Sequence, residues 1–168
     1  MPGCVLMFSD KVRYYVFQPA VIFVALSVAL VVGSVVSDSI IIVAALGPSA
    51  FILFITPRSS TATPRHLLGG HSLGLLVGST FAIVSEGEMV KSFITAYPYF
   101  LGMIAAASVT LNILLMGLTR TEHAPATATT LVVIVNGFSW SLALFVGASI
   151  GVLCLVHQLL KSRMRNLI

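Results

Sequence analysis

Long apolar segments separated by short polar stretches are the feature that most constrains this chain. Of its 168 residues, 58% are hydrophobic and only 8% are charged, whereas about 25% of the residues in a soluble domain carry a charge. Too few polar side chains remain to cover a water-soluble globule, so lipid must solvate much of the surface. We therefore expect an all-α, polytopic membrane helix bundle that forms one transmembrane domain over residues 1–168.

Six apolar runs divide the sequence. They cover Tyr14–Val36, Ser39–Thr56, His66–Ser85, Tyr97–Leu118, Ala124–Val135 and Phe138–Leu160. A crossing helix needs roughly 20 apolar residues, so the fifth run is too short for a continuous span, and the second is interrupted by Gly47-Pro48. Six segments and short loops use the available length, and we expect no soluble catalytic domain and no enzyme activity.

The basic residues predict an orientation. If the N-terminus is cytoplasmic and every run crosses, the inner side holds Lys11, Arg13, Arg58, Arg65, Arg120, Lys161, Arg163 and Arg165. The outer side then holds Asp38, Glu86, Glu88 and Lys91. This distribution follows the positive-inside rule. A re-entrant second run would instead move Arg58 and Arg65 outside, so we favour six crossings, with both termini on the cytoplasmic side of the cell membrane.

The sequence also indicates an internal repeat. One constant shift along the chain places Pro48 on Pro125, Gly70 on Gly147 and Gly74 on Gly151. Two halves of three segments each, approximately residues 14–85 and 97–160, would be antiparallel because each half has an odd number of spans. This 3+3 inverted repeat is the plan of many transporters and channels.

The two proline-interrupted segments are the main candidates for a binding site. Proline is tolerated in the first turn of a helix, so Pro48 and Pro125 are predicted to begin half-helices. Free backbone N–H groups at Ser49–Ala50 and Ala126–Thr127, beside Gly47, would then attract a small anion near the midplane. The alternative is a proline kink whose backbone groups are satisfied by neighbouring helices.

Several polar side chains lie close to these segments. Arg65 and Arg120 would guide an anion towards the site, or would serve only as topology anchors, with Glu122 paired to Arg120. His71 and His123 are candidates for ligand contact or proton coupling, although a lone histidine is often a hydrogen-bonded packing residue. Polar groups inside a membrane need partners or a wet cavity.

Three further observations complete the predicted site and its surroundings. Asn112, within the fourth run, is one more polar group that requires a partner. Glycines spaced four apart, namely Gly70, Gly74 and Gly78 together with Gly147 and Gly151, predict close helix packing between the halves or in a homo-oligomer. Cys4 and Cys154 form neither a disulfide framework nor a metal motif, so no cofactor and no metal are predicted.

Three tracts resemble a known family. The stretch 118–131, read as LTRTEHAPATATTL, resembles the L-T-R-T-x-H-P-P-A-G-A-T-A-L signature of the HPP family of integral membrane proteins. Residues 47–54 (GPSAFILF) resemble its G-A-S-A-x-L-L-F tract. A third tract of the family, P-R-N-x-x-G-G-H-x-x-x-x-x-x-G, is matched by Pro64-Arg65, Gly69-Gly70-His71 and Gly78. The departures from these patterns are Pro48, His66, Ala124 and Thr127.

The resemblance implies a function. Members of that family similar to this chain are associated with nitrite transport, so the resemblance implies translocation of a small inorganic anion. The composition makes membrane lipid the other partner, and the charges, which cluster at segment ends, indicate orientation signals rather than a nucleic-acid patch. The family is commonly described with four membrane helices, whereas the charges favour six crossings. Two alternatives stay open: a membrane anchor or sensor without transport, and a haem-binding redox subunit that uses His71 and His123 as axial ligands.

Overall fold

A computed structural model describes residues 2–34 and 43–168, with side chains described for 13–31 and 46–168. Within these ranges all regular secondary structure is helical, and there is no strand. The seven α-helices are α1 (Pro2–Ser34), α2 (Val43–Ile55), α3 (Pro64–Ser85), α4 (Glu88–Ala96), α5 (Tyr99–Thr119), α6 (Ala126–Asn136) and α7 (Trp140–Leu160). The all-α prediction is confirmed, while Asp38 and the start of the second predicted run lie outside the described residues.

Within the described part of the chain, four segments are long and apolar enough to cross a membrane. They are Arg13–Val31, Pro64–Ser85, Tyr99–Thr119 and Trp140–Arg163. Helices α2 and α6, with 13 and 11 residues, reach only about 20 and 16 Å at 1.5 Å per residue. Both are shorter than the roughly 30 Å hydrocarbon core. Helix α4, which has no buried residue, separates two successive groups of a long, a short and a long helix.

The prediction that a half-helix begins at Pro48 is wrong. Pro48 lies inside α2, which is already helical at Val43. The proline nitrogen carries no hydrogen, so the hydrogen bond to the carbonyl one turn earlier is missing. Membrane helices tolerate an internal proline because neighbouring groups can satisfy the freed carbonyl. The corresponding prediction for the second half is confirmed, because α6 begins at Ala126 directly after Pro125.

Hydrogen bonds bring Tyr15 in α1 and the C-terminal residues to one end of the bundle, here named the terminal face. The Tyr15 hydroxyl donates to the carbonyl of Leu167 at 2.8 Å, and the Leu167 N–H donates to the carbonyl of Ile55 at 2.9 Å. Nε2 of His157 lies 3.2 Å from the carbonyl oxygen of Pro57. The first membrane turn of α1 therefore shares this face with the ends of α2 and α7.

The remaining elements place the two short helices in opposite directions. The Arg65 guanidinium donates to the Thr119 carbonyl at 2.9 Å, so α3 begins and α5 ends at the terminal face. A Cβ on Gly137, just after α6, would lie 3.9 Å from Oε1 of Glu86, just after α3. Since α6 leads away from the terminal face and α2 leads towards it, the two short helices run antiparallel.

Close contact between α3 and α6 explains one of the predicted glycine faces. A Cβ on Gly74 would lie 2.6 Å from the carbonyl oxygen of Ala126, and one on Gly78 would lie 3.0 Å from the carbonyl oxygen of Thr130. Only glycine permits this approach. In contrast, a Cβ on Gly147 or Gly151 would meet no atom of another described element within 4 Å. Both glycines are exposed, so their role in a homo-oligomer stays a prediction.

We expect Gly74→Ala to destabilise the protein, because its methyl group would force α3 away from α6. Overpacking of this kind costs about 1–3 kcal/mol. Gly151→Ala is the matched control: its methyl group meets open space, and alanine favours a helix by about 0.5–1 kcal/mol relative to glycine. Thermal unfolding in detergent should show a lower Tm for the first variant only. Equal Tm values for both variants would contradict the close contact.

Candidate functional site: a buried histidine pair

The structure gathers six polar side chains in the interior of the bundle. Each is at most 1% exposed, and they come from four different parts of the chain: α2, α3, α5 and the segment that enters and begins α6. They are Ser49, His71, Asn112, His123, Thr129 and Thr130. Because buried polar groups among membrane helices are costly unless they are paired, their convergence marks this region as the candidate site.

Ser49 joins the two histidines. Its Oγ lies 3.0 Å from Nε2 of His71 and 3.2 Å from Nε2 of His123. The remaining ring nitrogens are also satisfied: Nδ1 of His71 lies 2.8 Å from Oγ1 of Thr129, and Nδ1 of His123 lies 3.2 Å from the carbonyl oxygen of Thr61. The two ring centroids are 5.2 Å apart. All four ring nitrogens therefore belong to one hydrogen-bonded line.

The turn between α5 and α6 positions His123. Arg120 ends α5 in the left-handed conformation, at φ 54°, and the Thr121 N–H donates back to the carbonyl of Met116 at 3.0 Å. This reversal lays the chain against α3, where a Cβ on Gly70 would be only 2.9 Å from Cβ of His123. Gly70 precedes His71 in sequence, so the same close approach brings the two imidazole rings together.

Asn112 continues the polar line on the far side of Gly74. Its Nδ2 donates to Oγ1 of Thr130 at 2.8 Å, and a Cβ on Gly74 would lie 3.3 Å from that oxygen and 3.4 Å from Cβ of Thr129. Within the described part of the chain, Oδ1 of Asn112 is buried without a hydrogen-bond partner. A buried acceptor of this kind calls for a donor, and the described residues supply none.

The two prolines do come together, although not around free N–H groups. Pro48 and Pro125 line one groove of about 410 Å³, together with Phe51, Ile52, Ala124, Thr127 and Ala128. This lining is almost entirely apolar. Gly47 has open space where a side chain would lie, and Ala50 is buried in the core. The groove alone therefore supplies no polar contact for an anion.

The prediction of free donors at the helix starts is wrong. The Ala126 N–H donates to the carbonyl of His123 at 2.9 Å, and the Thr127 N–H donates to the carbonyl of Ala124 at 3.1 Å. These tight turns satisfy amides that a helix start usually leaves unpaired. Ser49 and Ala50 lie within α2, where their N–H groups point along the helix rather than into a cavity.

The two predicted arginines lie at the terminal face rather than in the site. Both are exposed, and Arg65 caps the end of α5 through the carbonyl of Thr119. The predicted pairing of Glu122 with Arg120 is wrong: Oε2 of Glu122 lies 3.4 Å from Nε2 of His66 instead. Two cationic side chains thus stand beside a partly exposed histidine–carboxylate pair at the entrance to the segment that carries His123.

Sequence reasoning missed the residues that complete the hydrogen-bonded line. It used Ser49 for its backbone N–H rather than its hydroxyl, and it left out Thr61, Thr129 and Thr130. A signal for the two latter threonines was present, because Thr129 and Thr130 are adjacent polar residues in a largely apolar membrane segment. No sequence pattern marks the carbonyl of Thr61, since any residue type supplies one.

His123 lies between the predicted spans, and its surroundings hold it neutral. Burial lowers the pKa of His123 from its ordinary value of 6.5 to about 4; the hydrogen bond to the Thr61 carbonyl opposes this, and electrostatic interaction with His66 lowers the pKa further. A neutral ring can donate through one nitrogen and accept through the other. His123 therefore presents one donor and one acceptor, and no charge, at neutral pH.

Comparison with known proteins gives one family and one curated relative. The family model for the transmembrane region of HPP proteins matches residues 9–166. A transmembrane protein of Dictyostelium discoideum is 30% identical over 96 residues, which cover 57% of this chain and 30% of that protein. The chain thus spans less than a third of that relative's length. No solved structure matches it.

We predict that acid weakens the fold through His123. Between about pH 6.5 and pH 4 the unfolded chain binds a proton at this histidine and the folded chain does not, so the free energy of unfolding falls as the pH falls through that window. Above pH 6.5 this contribution is fully retained. Thermal unfolding in detergent, measured across this range, should show the decline.

His123→Asn is the matched variant for this test. Its amide can still donate to the Thr61 carbonyl from a position near Nδ1, but it does not titrate. We expect its Tm to fall less than the wild-type Tm between pH 7 and pH 4.5. Parallel Tm curves for the two proteins would show that His123 is not the titrating group.

Proposed function

The chain belongs to the HPP family of transmembrane proteins, and on that premise we propose that it transports a small monovalent oxyanion, with nitrite as the first candidate. The observation that carries this proposal is the buried pair of His71 and His123, joined through Ser49 in the interior of a membrane bundle. Ionisable groups at such positions are expensive, and in membrane proteins they mark substrate or proton pathways.

The histidines replace the backbone as the proposed anion contacts. Neutral rings with paired nitrogens do not attract an anion, but protonation of either ring would place a full positive charge inside the bundle. An oxyanion that enters together with a proton would meet that charge, and the pair would cross as a neutral unit. This route needs no free amide at Ser49–Ala50 or Ala126–Thr127.

Arg65 and Arg120 supply the long-range attraction in this proposal. Both are exposed at the terminal face, close to the segment that leads to His123. Positive charge around an entrance raises the local concentration of an anion and speeds its arrival, and salt screens this effect. The apolar groove between Pro48 and Pro125 would exclude water beside this route.

We further propose that the bundle lies in the cell membrane as a 3+3 inverted repeat with six crossings and both termini cytoplasmic. The order of a long, a short and a long helix occurs twice, and α2 and α6 run antiparallel. Arg58, Arg65, Arg163 and Arg165 belong to the terminal face, which the positive-inside rule assigns to the cytoplasm. The half-repeats at residues 14–85 and 97–160 fit this order.

The geometry of the histidine pair argues against the haem-binding alternative, whereas one observation favours an anchor or sensor. Two axial haem ligands must face each other across a macrocycle, whereas the rings of His71 and His123 lie 5.2 Å apart and turn their Nε2 atoms to the same hydroxyl. That geometry does not fit a haem between them. A membrane anchor or sensor without transport is favoured by one observation, the longer Dictyostelium relative, of which this chain matches 30%.

We predict that proteoliposomes containing the protein take up nitrite faster than nitrate or chloride. Arg120→Asn should lower the initial rate at low salt several-fold and have less effect at high salt, because it removes only electrostatic attraction. Asparagine tolerates the left-handed conformation at this position. Lys91→Gln, on the opposite face, is the matched control and should leave the rate unchanged.

Two results would argue against transport. One is the absence of nitrite uptake by protein that is folded by size-exclusion and circular-dichroism criteria. The other is uptake that neither Arg120→Asn nor replacement of His71 alters. Saturable nitrite binding without flux would favour the sensor instead.

A further inference from the structure

We infer that the Ser49 hydroxyl carries protons between His71 and His123, so that the ion coupled to transport is a proton. The anion substrate rests on the function proposed above, but the proton path depends only on the contacts within the site. Ser49 lies within hydrogen-bond distance of both Nε2 atoms, at 3.0 and 3.2 Å. Among the residues whose side chains are described, its hydroxyl joins the two rings directly.

The partners at the ends of the line fix the hydrogens while both rings are neutral. The Thr61 carbonyl oxygen only accepts, so Nδ1 of His123 carries the hydrogen and Nε2 accepts from the Ser49 hydroxyl. The Ser49 oxygen then accepts from the Nε2–H of His71. Nδ1 of His71 is left to accept from the Thr129 hydroxyl. Every donor in the line therefore points the same way, from Thr129 to Thr61.

This uniform direction allows a proton to move by one short transfer per hydrogen bond. The Thr129 oxygen accepts a proton from a hydronium ion and releases its own hydroxyl hydrogen to Nδ1 of His71. The Nε2–H bond of His71 then breaks as an O–H bond forms at Ser49, and the former Ser49 O–H bond breaks as an N–H bond forms at His123. Each bond that breaks is matched by one that forms, and nothing is oxidised or reduced.

The added charge thus ends on His123, the ring closer to the terminal face. His66 and Glu122, whose side chains lie 3.4 Å apart, are the partly exposed titratable pair on that side, and Arg65 and Arg120 are exposed there as well. The Glu122 carboxylate can accept a proton that leaves His123, and the positive charges of the arginines oppose its retention. On the opposite end of the line, the polar groups that follow Thr129 are Thr130 and Asn112.

Of the α2 residues whose side chains are described, Ser49 alone takes part in the line, through its hydroxyl. His71 belongs to α3 and His123 to the segment before α6, and these two elements pack closely at Gly70. A movement of α2 therefore interrupts the path without separating the rings. Pro48, directly before Ser49, leaves one backbone hydrogen bond of α2 unmade at this level. The bridge thus lies at the point where α2 bends most easily, which would link proton transfer to rearrangement of the bundle.

The hydrogen positions can be tested without any transport assay. Nitrogen-15 NMR of the protein in lipid, with labelled histidine, distinguishes a ring protonated at Nδ1 from one protonated at Nε2. We expect the Nδ1–H form for His123 and the Nε2–H form for His71 at neutral pH, each assigned by the loss of its signal in a histidine variant. The Nε2–H form at His123 would overturn the inferred direction of the line.

Proton flux tests the bridge itself. Proteoliposomes with a trapped pH indicator should acidify when an inward proton gradient and nitrite are imposed together, and Ser49→Ala should slow this at least about tenfold, as loss of a proton-transfer group does. Ser149→Ala is the matched control: Ser149 is also a buried serine among the helices, bonded to the carbonyl of Ala29. Its proton flux should be unchanged.

A second variant keeps the test valid if Ser49→Ala is poorly folded. The amide of His71→Gln can still donate to Ser49 from the Nε2 position but cannot take up and release a proton, so it should fold and still lose proton flux. Flux retained in both folded variants would overturn the relay. Nitrite uptake that persists without proton movement would overturn the relay and leave the transport function standing. Proton flux that depends on Ser49 but not on nitrite would support the relay and argue against nitrite as the transported anion.

Discussion

The contact between the glycines of α3 and the segment that enters and begins α6 is the interaction on which the rest of the structure depends. Gly70 and Gly74 allow that segment to lie against the helix backbone, with a Cβ at either position falling under 3.0 Å from an atom of the other element. This approach brings His123 beside His71 and sets Thr129 opposite Nδ1 of His71. Without it, the polar side chains would face one another across too wide a gap to form hydrogen bonds, and each would be buried alone at considerable cost.

Much of the fold was predictable from the sequence because the membrane imposes simple rules. Apolar runs locate both ends of α3, α5 and α7 to within two residues, since a lipid-facing helix needs nothing beyond length and hydrophobicity. Helix α4 was not predicted, because length and hydrophobicity identify only helices that face lipid. It is an amphipathic surface helix with no buried residue, and its polar character suggested a loop between spans.

The candidate site was predictable only in part. His71, Asn112 and His123 stand out because polar residues are rare in apolar segments. Their pairing through Ser49 cannot be read from the sequence, because Ser49 lies 22 positions from His71 and 74 positions from His123 along the chain. The expectation of free N–H groups failed for a local reason. The turn before α6 closes on itself through the carbonyls of His123 and Ala124, and a proline at the helix start does not reveal whether the following amides are already paired.

A neutral histidine line suits a membrane protein that handles an anion. A fixed positive charge in the interior would hold an oxyanion tightly and would cost several kcal/mol of desolvation whenever the site was empty. Two neutral rings with every nitrogen bonded avoid that cost in the resting state. They accept a charge only when a proton arrives, and the accompanying anion then offsets it. Binding is thereby favourable enough for entry and, once the proton has moved on towards the terminal face, weak enough for release.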